Sequence, residues 1–116
     1  EVAWELLSVS DSPLTLILPG GRNLAPGVCA ADGSVGIRIC REPFCNELIR
    51  RFRKPVVSTS ANFSGRPSPR NFDTVEKDLA ELVDYVVKYR QDEREEFSSS
   101  PVIRLGTDGT VEIIRK

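Results

Sequence analysis

The chain has 116 residues, 40% hydrophobic and 28% charged, an ordinary composition for one small folded domain that argues against disorder. A formal charge of −1 supplies no global attraction for nucleic acid or a membrane surface, so the balance favours a small ligand. No apolar run is long enough to cross a bilayer and no basic-then-apolar leader opens the chain, which makes the cytoplasm the expected location.

Val2, Ala3, Leu6 and Leu7 fall on one helical face, so residues 1 to 8 read as a helix end, stopped by the turn residues Ser8 to Pro13. An opening within a helix, in a chain without methionine, leads us to expect a fragment. Leu14 to Leu18 is a predicted buried strand. Pro19 to Pro26 is a loop on glycine and proline grounds, and Asp32-Gly33 marks a turn before the strand Val35 to Ile39. Pro43 suits the first turn of a helix, in which Phe44, Leu48, Ile49 and Phe52 form an apolar stripe opposite Arg50, Arg51 and Arg53; it should end before Pro55.

Val56 to Ser58 is then expected to be a strand. Asp73-Thr-Val-Glu76 has capping-box spacing, with Asp73 as acceptor, ahead of a helix carrying Val75, Leu79, Leu82 and Val83. Asp84 to Tyr89 alternates like a strand, and Arg90 to Glu96 is a charged loop. Val102 to Leu105 and Val111 to Ile114 flank Gly106-Thr-Asp-Gly109, a hairpin signal. This order predicts an α/β (α+β-like) layer fold with a mixed sheet, in a single domain over residues 1–116.

There is no histidine, which excludes Ser-His-Asp and Cys-His nucleophilic machinery and histidine-based zinc sites from this chain. Cys29, Cys40 and Cys45 make no C-x-x-C pair, and without histidine they cannot close a four-ligand zinc site unless a carboxylate joins them. Buried free thiols are the expectation, since an odd count argues against a disulfide framework.

The most informative stretch is Pro55-Val-Val-Ser-Thr-Ser-Ala-Asn-Phe-Ser-Gly-Arg-Pro-Ser-Pro69. Ser58, Thr59, Ser60, Ser64 and the Asn62 amide offer many hydrogen-bonding groups with little bulk, which suits anionic oxygens and purine edges. Ser58, Ser60 and Asn62 lie two apart, so on an extended segment they share a face. The alternative is a surface loop in which these side chains bond their own backbone. Gly65 would permit a tight turn or a close approach of ligand to backbone. By the same alternation, Arg38 points away from Val35, Ile37 and Ile39.

Together with Pro13-Leu-Thr-Leu-Ile-Leu-Pro19, Val35-Gly-Ile-Arg-Ile39 and Ser100-Pro-Val-Ile-Arg-Leu105, the Thr59 to Gly65 segment resembles the C-terminal half of a YrdC-like domain, the threonylcarbamoyl-AMP synthase family. In that family a V-G-V-R-V strand precedes a helix, then a strand ending T-S-A-N-x-S-G-x-P-S, then a late S-T-V-V-D strand. The resemblance implies a twisted mixed sheet with flanking helices around a concave cleft, its N-terminal part missing. The family's P-T-E-T-type segment and Lys-x-Arg motif do not occur here.

The resemblance also implies a nucleotidyltransferase that joins L-threonine, bicarbonate and ATP, with magnesium, into threonylcarbamoyl-adenylate for tRNA modification at adenosine 37. Proteins of the tRNA pathway would be its partners, and the fragment alone is expected to be inactive. It assigns nucleotide binding to Ser60 and Asn62, with Ser58 beside them, and to Arg115. Phosphate or substrate binding falls to Thr15, Arg38 and Ser100. Pro101 and Arg104 stand where the family's late strand has threonine and aspartate, and Ser12-Pro13 replaces its P-G-P. These departures support a second reading, a non-catalytic YrdC-like module binding nucleotide or RNA, although the charge balance opposes RNA. A third, the carbamoyl-transfer domain of hydrogenase maturation proteins, lacks its accompanying zinc-finger and acylphosphatase segments. Missing strands would expose a sheet edge, so a homodimer is the expected assembly.

Overall fold

Four short strands carry the fold, in the spatial order β2-β1-β3-β4. In the computed structural model, which describes residues 1–116, the elements are α1 (Val2–Val9), β1 (Thr15–Leu18), β2 (Val35–Arg38), α2 (Pro43–Phe52), a 3-10 turn at Phe72–Thr74, α3 (Lys77–Leu82), β3 (Val102–Leu105) and β4 (Val111–Arg115). β1 runs antiparallel to β2 and parallel to β3, and β3 runs antiparallel to β4. The sheet is therefore mixed and the class α/β, as the sequence indicates. No helix is long and apolar enough to cross a membrane.

The chain divides into two compact units, one made of Glu1–Val57 with Ser100–Lys116 and the other of Ser58–Ser99. In the first, period-two alternation sends Leu14 and Leu16 of the β1 segment to one face, where Leu105 joins them. Leu16 is only 2% exposed, and Ala3, Leu6 and Leu7 of α1 pack over this cluster with Leu18 and Ile103. Burying one leucine in this way contributes roughly 1.5–3 kcal/mol. α1 has no basic residue in its last turn, but Arg41 donates to the Leu7 and Ser10 carbonyl oxygens, at 2.7 and 3.1 Å, and satisfies acceptors the helix end leaves open.

α2 begins as expected, with Pro43 in its first turn and the Glu42 carboxylate accepting from the Cys45 N–H at 2.8 Å. It ends at Arg53, which takes a left-handed conformation (φ 60°) and donates its N–H to the Ile49 carbonyl. Pro101 immediately precedes β3, so its missing donor costs no ladder bond, while its carbonyl accepts from Thr15 N–H at 3.0 Å.

The second unit has no buried residue and no strand. Polar links hold it: Arg66 to Glu76, Arg70 to Glu96 at 3.2 Å, Arg94 to Asp73 at 2.9 Å, and the Phe97 N–H to the Arg70 carbonyl at 2.9 Å. Three expectations fail between Val56 and Tyr89. Val56 to Ser58 and Asp84 to Tyr89 form no strands, because β-branched and aromatic propensity needs a pairing partner and neither segment joins the sheet. Nor does Asp73 cap a helix. Asn71 and Thr74 form the capping box one turn earlier, around the 3-10 turn, and α3 starts only at Lys77. Asn71 Oδ1 accepts from the Thr74 N–H at 3.3 Å, and Thr74 Oγ1 closes the box by accepting from the Asn71 N–H, also at 3.3 Å.

Candidate functional site

Arg38, Thr15, Val102 and Arg115 form one row across all four strands: Thr15 pairs with Arg38 on β2 and with Val102 on β3, and Val102 pairs with Arg115 on β4. Cross-strand partners project to the same face, so these side chains share the face opposite Leu16. An irregularity between Val102 and Ile103 absorbs an extra residue of β4 and brings Arg115 into the row. Thr15, Arg38 and Arg115, proposed from motif position alone, are thus placed together by register.

Ser100 completes the cluster. Its hydroxyl accepts from Arg38 Nη1 at 3.3 Å, and its carbonyl oxygen accepts from Arg115 Nε at 3.0 Å and Nη2 at 2.6 Å. Two guanidinium groups from opposite edges of the sheet therefore meet at one serine, and neither Arg38 nor Arg115 has a carboxylate partner. Such a pair of uncompensated forks is suited to an oxyanion. Arg104 lies on the same face but is neutralised by Asp32 at 3.7 Å and Glu112 at 3.8 Å. Asp32 is held below the usual aspartate range by the Ser34 hydroxyl and N–H that donate to it, with a smaller contribution from Arg104.

Ser58, Ser60 and Asn62 belong to the second unit. They lie on no strand, and Asn62 turns inward: its Nδ2 donates to the Phe63 and Arg66 carbonyls at 2.9 and 3.0 Å. Asn62 braces the loop, leaving its Oδ1 near the Ser68 hydroxyl at 3.5 Å. Gly65 has φ 81°, the left-handed conformation that its turn requires, and an added Cβ would meet no protein atom. Ser60 lines a groove of about 690 Å³ with Ser68, Arg70, Glu96, Phe97 and Ser99 among its walls.

Arg41, Arg70, Glu96 and Phe97 were not singled out from the sequence. Only their positions, in a connecting loop, beside the Pro69 turn and at the end of the charged run, hinted at contacts between distant segments. Cys29, Cys40 and Cys45 are free and half-buried. Burial, then Glu42, then the neighbouring Cys40 thiol push Cys45 up to about 11. No three or more Asp, Glu or Cys side chains gather into a metal-binding group.

Mixed sheet and central parallel pair define a small α/β domain with an arginine row across one face. The chain belongs to the Sua5/YciO/YrdC family, described as telomere recombination, whose profile matches residues 1–116. It is 38% identical over 72 residues to the threonylcarbamoyl-AMP synthase of Dichelobacter nodosus, covering 62% of this chain and 38% of that protein. It is 41% identical over 75 residues to a putative threonylcarbamoyl-AMP synthase of Methanocaldococcus jannaschii, covering 65% and 34%. The Bacillus subtilis threonylcarbamoyl-AMP synthase is 43% identical over 67 residues, 57% of this chain and 19% of that protein. The chain thus spans less than half the length of these curated relatives. No solved structure matches it significantly.

Proposed function

We propose that the chain is the C-terminal portion of an L-threonylcarbamoyladenylate synthase, whose substrates are L-threonine, bicarbonate and ATP. Threonine's amine and bicarbonate condense to a carbamate with loss of water; a carbamate oxygen attacks the α-phosphorus of ATP, and pyrophosphate leaves. Groups that position anions and offset charge serve this reaction better than an acid-base histidine, and the chain has none. The observation that carries the reading is the meeting of Arg38 and Arg115 at Ser100. In this reading the two guanidiniums receive phosphate or carbamate oxygens, Thr15 and Ser100 add hydroxyls, and Ser58 and Ser60 contact the nucleotide on a loop that Asn62 braces. Magnesium would arrive with the ATP phosphates, as a hard cation that keeps most of its waters.

The test is L-threonine- and bicarbonate-dependent pyrophosphate release by the full-length polypeptide carrying these residues. Turnover that Arg38→Ala lowers at least tenfold supports the reading; a competent polypeptide indifferent to that change sinks it. A non-catalytic nucleotide-binding module is the second reading, favoured by Arg104 occupying the polar face with Asp32 and Glu112. It requires ATP binding without pyrophosphate release. The tRNA-pathway partners and a cytoplasmic site of action follow from the synthase reading. Self-association belongs to it as well, since Trp4, Leu48, Phe52 and Ile113 stand on the surface. A monodisperse monomer in sedimentation would count against a homodimer.

A further inference from the structure

The groove of the second unit has an unusual combination of walls. Serine hydroxyls from Ser60, Ser68, Ser98 and Ser99 surround it, and a single aromatic ring, Phe97, stands about half exposed on its wall. Its one cation, Arg70, is matched by its one anion, Glu96, at 3.2 Å. A groove that is neutral overall, rich in hydroxyls and furnished with one ring does not select a polyphosphate. It suits a flat, uncharged, hydrogen-bonding ligand, and about 690 Å³ is ample for one.

Phe97 is also fixed in place. Its N–H donates to the Arg70 carbonyl at 2.9 Å, and the side chain of the preceding residue, Glu96, holds the Arg70 guanidinium. Arg70 is anchored in turn, its N–H donating to Thr74 Oγ1 at 3.0 Å within the Asn71–Thr74 capping box. Two links between the same pair of segments, backed by that turn, set the position of the Phe97 backbone before any ligand arrives. A ring carried on a fixed backbone has only its two side-chain torsions to settle on stacking, and every nucleobase offers it a π-face.

We infer that Phe97 is the stacking platform for the base of a nucleoside, with the surrounding serines taking the base edge and ribose hydroxyls. This rests on the nucleotide-using reading above and deepens it by naming a residue outside the Thr59 to Gly65 motif. Phe97 acts by binding, so its replacement should weaken ligands that contain a base and leave base-free ones alone.

The experiment is calorimetry on the full chain with ATP, adenosine and inorganic tripolyphosphate, comparing wild type, Phe97→Ala, Phe97→Tyr and the double variant Ser60→Ala, Asn62→Ala. Proton NMR follows the adenine ring protons. Phe97→Ala should weaken ATP and adenosine about tenfold, the order expected for loss of one base–aromatic stack, and leave tripolyphosphate unchanged. Phe97→Tyr should restore the affinity, and the upfield ring-current shift of the adenine protons should vanish only in the alanine variant. If Phe97→Ala binds ATP as wild type does while Ser60→Ala, Asn62→Ala does not, stacking is overturned and the nucleotide reading stands. Equal loss of ATP and tripolyphosphate in Phe97→Ala overturns stacking too, since it marks a collapsed groove. A wild-type chain that binds neither ATP nor adenosine overturns both.

Discussion

Arg115 grips the Ser100 carbonyl oxygen with two donors, Nε at 3.0 Å and Nη2 at 2.6 Å, and so fixes the serine whose hydroxyl meets Arg38. The fork matters more than the charge, because a lysine offers a point charge and cannot span both donor positions. Arg115→Lys should therefore weaken tripolyphosphate binding about tenfold or more, as loss of a charge-assisted hydrogen bond does. Arg115 is exposed, so folding stability should fall by less than about 1 kcal/mol. Calorimetry paired with thermal melting separates the two effects, and an unchanged affinity would show that the fork does not organise the anion site.

Leu16 is the most enclosed core side chain of the first unit, under Leu6 and Leu7 of α1. Leu16→Ala should cost about 2–5 kcal/mol in urea unfolding. Val111, on the surface of β4, should cost less than about 0.5 kcal/mol when changed to alanine. Similar losses at both positions would mean that β1 does not centre the core.

The second unit relies on exposed links such as Arg94 to Asp73, with side chains 67% and 52% exposed, and has no buried residue behind them. Surface pairs are screened by salt, whereas burial of leucine is not. Hydrogen exchange in Ser58–Ser99 should accelerate as sodium chloride rises while α1 and β1 keep their protection. Uniform behaviour across both regions would refute this division.

Cys45 has its thiol pushed up to about 11 by burial, then by Glu42 and Cys40. Only thiolate is alkylated, so at about pH 8.5, where an ordinary thiol is half ionised, Cys45 should be roughly two orders of magnitude slower than a free thiol. Its rate with iodoacetamide, followed by peptide mass spectrometry, should still climb beyond that pH. A plateau near that pH would place its titration in the ordinary range.

Asp32 accepts from the Ser34 hydroxyl at 2.6 Å and from the Ser34 N–H at 2.9 Å, which holds its carboxyl below the ordinary 3.8. A lowered pKa means the folded loop prefers the ionised form. The turn is therefore supported above the ordinary aspartate value, and that support is lost as pH falls through the lower folded value. NMR titration should show the Ser34 amide moving only in acid below that ordinary value, and Asp32→Asn should abolish the transition.

Local periodicity made most of the first unit legible in the sequence. Val2, Ala3, Leu6 and Leu7 announce α1, Pro43 and the Phe44 stripe announce α2, and Gly106 to Gly109 announces the β3–β4 hairpin. The failures lie where propensity and partnership part company. Val56-Val57 and Tyr85-Val-Val87 carry strand-forming side chains, yet pairing is a property of a neighbour that no local window contains. The motif residues Arg38, Ser100 and Arg115 were visible singly, but their convergence depends on a register set across four strands. Arg70 and Phe97 carried no signal beyond their positions beside a turn and a charged run, because their relationship is made by a backbone bond between segments far apart in the chain.

β1 has its parallel partner in β3, near the opposite end of the sequence, while all of Ser58–Ser99 lies between them along the chain. During synthesis, β1 and β2 emerge before β3 with half of β1's edge hydrogen bonds unmade, and Leu16 waits for Ile103 and Leu105. Closing so long a loop carries an entropic cost before any contact rewards it, which predisposes the domain to slow completion and leaves a nascent strand open to the wrong neighbour. Removal of only the hairpin residues would take away β1's partner, the core leucine Leu105 and Arg115 at one stroke, so completion of the sheet and the meeting of Arg115 with Ser100 are a single late event.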